Sequence, residues 1–125
     1  VSDLLRAPAL RRTEVAAWRA ALFGDPLFGP DPRGFAALPG TRRELEVVKA
    51  RLAGAQVQVY TGAAASRAAL LALNTADIDV LHLATHAYLD GYTPELSALV
   101  LSQRDAAGRQ IPGDVRAADL LRWPR

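Results

Sequence analysis

The chain has 125 residues, half of them hydrophobic and 22% charged, the size of one domain or less and too apolar for a disordered segment. Fifteen basic against thirteen acidic residues leave a net charge of +2, and the arginines are scattered without interleaved aromatics, which argues against a nucleic-acid surface. There is no cysteine, hence no disulfide or thiolate metal site, and no window approaches the ~18–20 uninterrupted apolar residues of a membrane span.

The first twenty residues are rich in Ala and Arg, and Glu14–Leu22 is predicted as a short helix. Phe23-Gly24-Asp25-Pro26 reads as a turn, and Pro30, Pro32 and Gly34 mark a loop before Leu38-Pro39-Gly40. Thr41-Arg42-Arg43-Glu44 has the form of a capping box, and Leu45, Val48 and Leu52 then recur at helical spacing until Gly54 stops the helix. Val57 and Val59 alternate with Gln56 and Gln58 in a strand ended by Thr61-Gly62. Ser66 is placed to cap a second helix with Ala69, Leu70 and Leu73 on its buried face, closed by Asn74. Ile78–Thr85 is an apolar strand, Ala98–Ser102 another, Asp105–Gly108 a turn and Ala117–Leu121 a last short helix. Strand, helix and strand from Val57 to Thr85 make a βαβ unit, so these two strands run parallel and the fold class is α/β with a mainly parallel sheet.

Both histidines fall in Ile78–Ala87, IDVLHLATHA. On a strand His82 and His86 share a face but lie about 13 Å apart at ~3.3 Å per residue, too far for one metal ion. His82, inside the apolar run, reads as a core histidine whose ring nitrogens bond to neighbouring backbone. His86 follows Thr85, where the strand should end and a loop begin, the place where open α/β sheets put their chemistry. Asp77, Asp79 and Asp90 flank the strand as solvated loop acids. There is no Gly-rich phosphate loop, no Gly-x-Ser-x-Gly turn and no dense carboxylate cluster, so no metal and no cofactor is expected.

From about Leu22 to Leu121 the chain resembles the CHAT domain, a caspase-like cysteine peptidase domain often fused to tetratricopeptide repeats in bacteria. The likeness is carried by Gly24-Asp25-Pro26, by Leu38-Pro39-Gly40 with the acidic helix through Glu44 and Glu46, and by Gly62 with Ser66. It continues through Asp79-Val80-Leu81-His82-Leu83-Ala84-Thr85-His86, Pro94-Glu95-Leu96-Ser97-Ala98-Leu99-Val100-Leu101-Ser102 and Ala118-Asp119-Leu120-Leu121. The resemblance implies a caspase-like three-layer sandwich, incomplete in this chain, with residues 1–20 as an N-terminal flank and 21–125 as a partial CHAT domain.

It further implies that His86 is the catalytic base and that the backbone N–H of the next residue helps form an oxyanion hole. That residue is usually glycine and here is Ala87, whose Cβ would point into a tight turn. The family's cysteine stands at the end of the next sheet strand, beyond the helix that Ala117–Leu121 matches, and the chain stops at Arg125. With no methionine at position 1 either, a segment cut from a longer protein is expected, inactive by itself and with a sheet edge exposed beside the His86 strand. The implied partners are a protein or peptide substrate and tetratricopeptide-repeat regions of the same protein, and the expected compartment is the cytoplasm. A non-catalytic caspase-like interaction module and an unrelated ligand-binding α/β domain are the other two readings.

Overall fold

A computed structural model describes residues 2–6 and 17–123. Among these residues seven strands and three α-helices follow in the order β1 (Ser2–Arg6), β2 (Arg19–Pro26), α1 (Gly40–Arg51), β3 (Gln56–Gly62), α2 (Arg67–Leu71), β4 (Val80–Ala84), β5 (His86–Tyr88), β6 (Ala98–Val100), β7 (Asp114–Arg116) and α3 (Ala117–Leu121). Four strands form one sheet in the order β1-β4-β2-β3, with β2 parallel to both β3 and β4. Leu22 is therefore registered against Val59 on one side and His82 on the other. β5, β6 and β7 form a separate antiparallel sheet.

The central strand is β2, where the sequence predicts a helix to Leu22 and a turn after it. Residues 14–16 of that predicted helix lie outside the described residues, but Arg19–Leu22 are strand. Ala and Arg favour helices, yet this strand is covered on both faces, so apolar residues must stand at successive positions and the period-2 signature disappears. Ala20 and Leu22 pack with Leu45 of α1 and with Leu52 at its C-cap, while Ala21 and Phe23 pack on the other face with Leu70, Leu81, Leu101 and Val115. Layers of α1, the four-stranded sheet, and α2 with α3 and part of the small sheet give the expected α/β sandwich.

The chain runs from β2 outward to β3 and then returns to β4 on the opposite flank of β2. The carboxyl ends of β2 and β4 thus flank the point where the strand order reverses, where open α/β sheets leave a crevice. Two expectations are corrected beside it. The outer edge of β4 is paired antiparallel with β1, Leu4 opposite His82, so that edge is covered. The strand predicted over Ala98–Ser102 joins the antiparallel sheet, its sheet portion being Ala98–Val100. No helix among the described residues is long and apolar enough to cross a membrane.

Candidate functional site

His82 stands in the middle of β4 and, by strand alternation with Val80 and Ala84, faces α1. The residue is 5% exposed, and its Nε2 lies 2.6 Å from Oε2 of Glu44. Its Nδ1 is buried and has no hydrogen-bond partner among the described residues. The sequence expectation of a core histidine is met, but the partner is an acidic side chain from the facing helix.

This contact explains why the capping box predicted at Thr41–Glu44 does not form: α1 begins at Gly40, and its N-cap, Pro39, offers no side-chain bond. Thr41 Oγ1 instead donates to the Leu38 carbonyl at 2.7 Å and accepts from the Asp25 N–H at 2.7 Å, tying the helix start to the end of β2. Asp25 holds a left-handed φ of 46°, and its carboxylate accepts from Arg42 Nε, which fixes the side chain in that turn. Glu44→Ala is expected to lower stability by about 1–3 kcal/mol, because it leaves a buried ring nitrogen without its partner. Glu44→Gln keeps an acceptor and should lose less; urea unfolding of the two variants measures the difference.

His86 is the first residue of β5, registered against Val100, so it stands on a strand where the sequence predicts the start of a loop. Just before it, Thr85 Oγ1 donates to the Val100 carbonyl and fastens the passage from β4 to the small sheet. His86 Nε2 lies 2.8 Å from the carbonyl oxygen of Ala36. A carbonyl can only accept, so Nε2 carries the proton and Nδ1 is the basic nitrogen of the neutral ring. Phe28 and Phe35 contact the imidazole with centroids at 5.2 and 5.4 Å. Ala87, in the middle of β5, is exposed and pairs with Leu99. Among the described non-glycine residues only Asp25 has positive φ, so Ala87 is not in the strained turn expected of it and its Cβ costs nothing there.

The loop at 27–36 carries the densest polar network near His86. Arg33 donates to Asp114 through both terminal nitrogens at 2.8 and 2.9 Å, and to Asp31 through Nε and NH2 at 3.0 and 2.7 Å. Gln103 Nε2 donates to Asp31 at 2.8 Å, and its Oε1 accepts from the Gly29 N–H at 3.0 Å. These groups, with Arg104 and Arg116, line a cleft of about 300 Å³ beside the loop.

The Arg33 side-chain hydrogen bonds hold the Asp31 carboxyl well below the usual carboxylate range, and Asp31 in turn raises the Arg33 guanidinium. A depressed carboxyl strengthens the folded loop wherever an unfolded Asp is ionised, and that gain disappears as pH falls through the depressed value. The docked loop is therefore expected to be unchanged from pH 7 to pH 5 and to loosen only below the ordinary value of 3.8. The NMR signal of the Arg33 Nε–H checks this by persisting through that range and broadening below it.

The flanking acids divide. Asp79 is buried at 4% exposure, and its Oδ2 accepts from the Arg19 N–H at 2.8 Å, correcting the expectation of a solvated loop acid. Asp77 is exposed, 3.9 Å from Arg19, and Asp90 accepts from the backbone of Tyr92 and Thr93 in a loop turn. His82 and His86 engage different partners and are not brought to one site. Sequence reasoning missed Phe28, Arg33, Phe35 and Ala36. A signal exists: two of the three phenylalanines of the chain bracket Pro30-Asp31-Pro32-Arg33-Gly34, and a turn-rich loop with aromatic ends is one that docks.

In comparisons with known proteins, the family model described as CHAT domain matches residues 2–123, nearly the whole chain. No curated protein and no solved structure matches the chain.

Proposed function

We propose, since this chain belongs to the CHAT-domain family of caspase-like, peptidase-related domains, that it supplies the histidine half of a cysteine endopeptidase site. His86 is the general base and a cysteine from outside residues 1–125 is the nucleophile. The observation that carries the reading is the bond from His86 Nε2 to the Ala36 carbonyl, which leaves Nδ1 to take a proton just past the carboxyl end of β4. His86 Nδ1 removes the thiol proton, and the thiolate attacks the carbonyl carbon of a peptide bond. The Ala87 N–H donates to the resulting oxyanion. As that intermediate collapses, His86 gives the proton to the leaving amine and a thioester remains. Water then attacks the thioester, again losing a proton to His86, and the cysteine is regenerated. The substrate is a polypeptide, which tetratricopeptide repeats elsewhere in the same protein would present.

The coding sequence beyond the Arg125 codon tests this reading. An in-frame apolar strand ending in cysteine within a few dozen codons is the expected result. A stop codon, or such a strand ending in another residue, would transfer the reading to a non-catalytic caspase-like interaction module, which the family match favours over an unrelated domain.

A further inference from the structure

We infer that Arg33 is a positioning residue for His86, holding the Ala36 carbonyl in place and thereby fixing which imidazole nitrogen is basic. A hydrogen bond orients a ring only if its acceptor is itself held. The first limb of the 27–36 loop is anchored to the segment after β6: Ser102 Oγ accepts from Leu27 N–H at 3.0 Å, and Leu27 O accepts from Gln103 N–H at 2.7 Å, while Phe28 beside it contacts the His86 ring. The second limb, residues 33–36, is different. Its ties to β5 and β7 are the Ala36–His86 bond, the Phe35–His86 contact and the contacts of Arg33. Two of these use His86 itself and cannot orient it independently.

Among the described residues the remaining tie to those strands is Arg33, which joins three elements; the Phe28–Phe35 contact at 5.9 Å links the limb only to the rest of its own loop. Its fork meets Asp114 on β7, another edge meets Asp31 within the loop, and its guanidinium carbon lies 4.8 Å from the Phe35 centroid and 5.0 Å from that of Tyr88 on β5. The Arg33 N–H also bonds Asp31 Oδ1 at 2.8 Å, and Gly34 N–H closes the turn on Asp31 O at 2.9 Å with a φ of 71° that suits glycine. The turn sets where the guanidinium points, and the guanidinium sets where Phe35 and Ala36 stand. Lysine carries the charge but has neither the planar fork nor the stacking surface, so charge alone does not reproduce the arrangement.

The catalytic consequence rests on the reading of His86 as a base; the geometry and its test do not. The chain holds two histidines, one in the core and one at the site, so spectra of the ¹⁵N-histidine-labelled chain contain their own control for folding. In the unaltered protein neutral His86 is expected as the single tautomer protonated at Nε2. In Arg33→Ala and Arg33→Lys its two nitrogens should move to tautomer-averaged positions while the His82 signals stay fixed. A His86 spectrum unchanged in either variant, with His82 also unchanged, would overturn the inference. Should Arg33→Ala disturb His82 as well, Asp114→Asn and Tyr88→Leu each remove one arm of the clamp. Partial averaging at His86 in both supports the role, and an intact single tautomer in both overturns it. Neither substrate nor cysteine enters the measurement, so an absence of peptidase activity would leave the result standing.

Discussion

Phe23→Ala is expected to lower folding stability by about 3–5 kcal/mol, a large part of the roughly 5–15 kcal/mol that holds an ordinary domain together. Phe23 is fully buried on β2 and stacks on Tyr60 with ring centroids 4.4 Å apart and planes 11° from parallel. It packs in one cluster with Leu70 of α2, Leu81 of β4 and Leu101 and Val115 beyond them, so truncation opens a cavity where several elements meet. Leu89→Ala is the control: Leu89 is 83% exposed, and its loss should change stability by less than about 0.5 kcal/mol. Urea titrations followed by the fluorescence of the two tryptophans measure both. A Phe23→Ala chain as stable as the Leu89→Ala chain would mean that β2 is not the central strand.

His86→Ala carries the other large effect, this time on chemistry. On the reading proposed above, removing the base from the natural-length protein should slow peptide cleavage by about 10²–10⁴-fold. Folding should be little altered, because His86 sits at a partly exposed strand start. His82→Ala should behave in the opposite way. Its ring is buried in a contact with Glu44, so its removal lowers stability, and any activity lost should follow the unfolded fraction. Measuring cleavage and unfolding on both variants separates the site histidine from the core histidine.

Much of the framework follows from local chemistry. The α1 face of Leu45 and Leu52, the Ser66 cap on Ala69 N–H, β4 and α3 each have a periodicity or a capping residue that their own segment supplies. β2 was illegible because a strand buried on both faces shows no alternation, and its Ala and Arg content points to helix. The capping box failed for a related reason. Thr41 and Glu44 have the right spacing, but partners distant in sequence, Asp25 on β2 and His82 on β4, claim the same side-chain groups. β7, three residues long, left no pattern at all.

For the candidate site, the sequence singles out His86 because an imidazole after an apolar strand is unusual and because the surrounding string resembles a family. What surrounds His86 was not. The Ala36 carbonyl is a backbone atom that any residue would supply, and Arg33 finds Asp114 across 81 positions of sequence. Loop contacts of that range depend on where the whole fold brings two surfaces together, which no local window contains.

The most direct test of the central claim is covalent trapping. The natural-length protein would be incubated with a peptidyl electrophile selective for thiolates, and the intact mass measured with and without the His86→Ala change. One adduct on a single cysteine, formed in the unaltered protein and lost in His86→Ala, is the predicted result. No adduct, or an adduct formed equally well without His86, would contradict the assignment of His86 as the base of a cysteine peptidase.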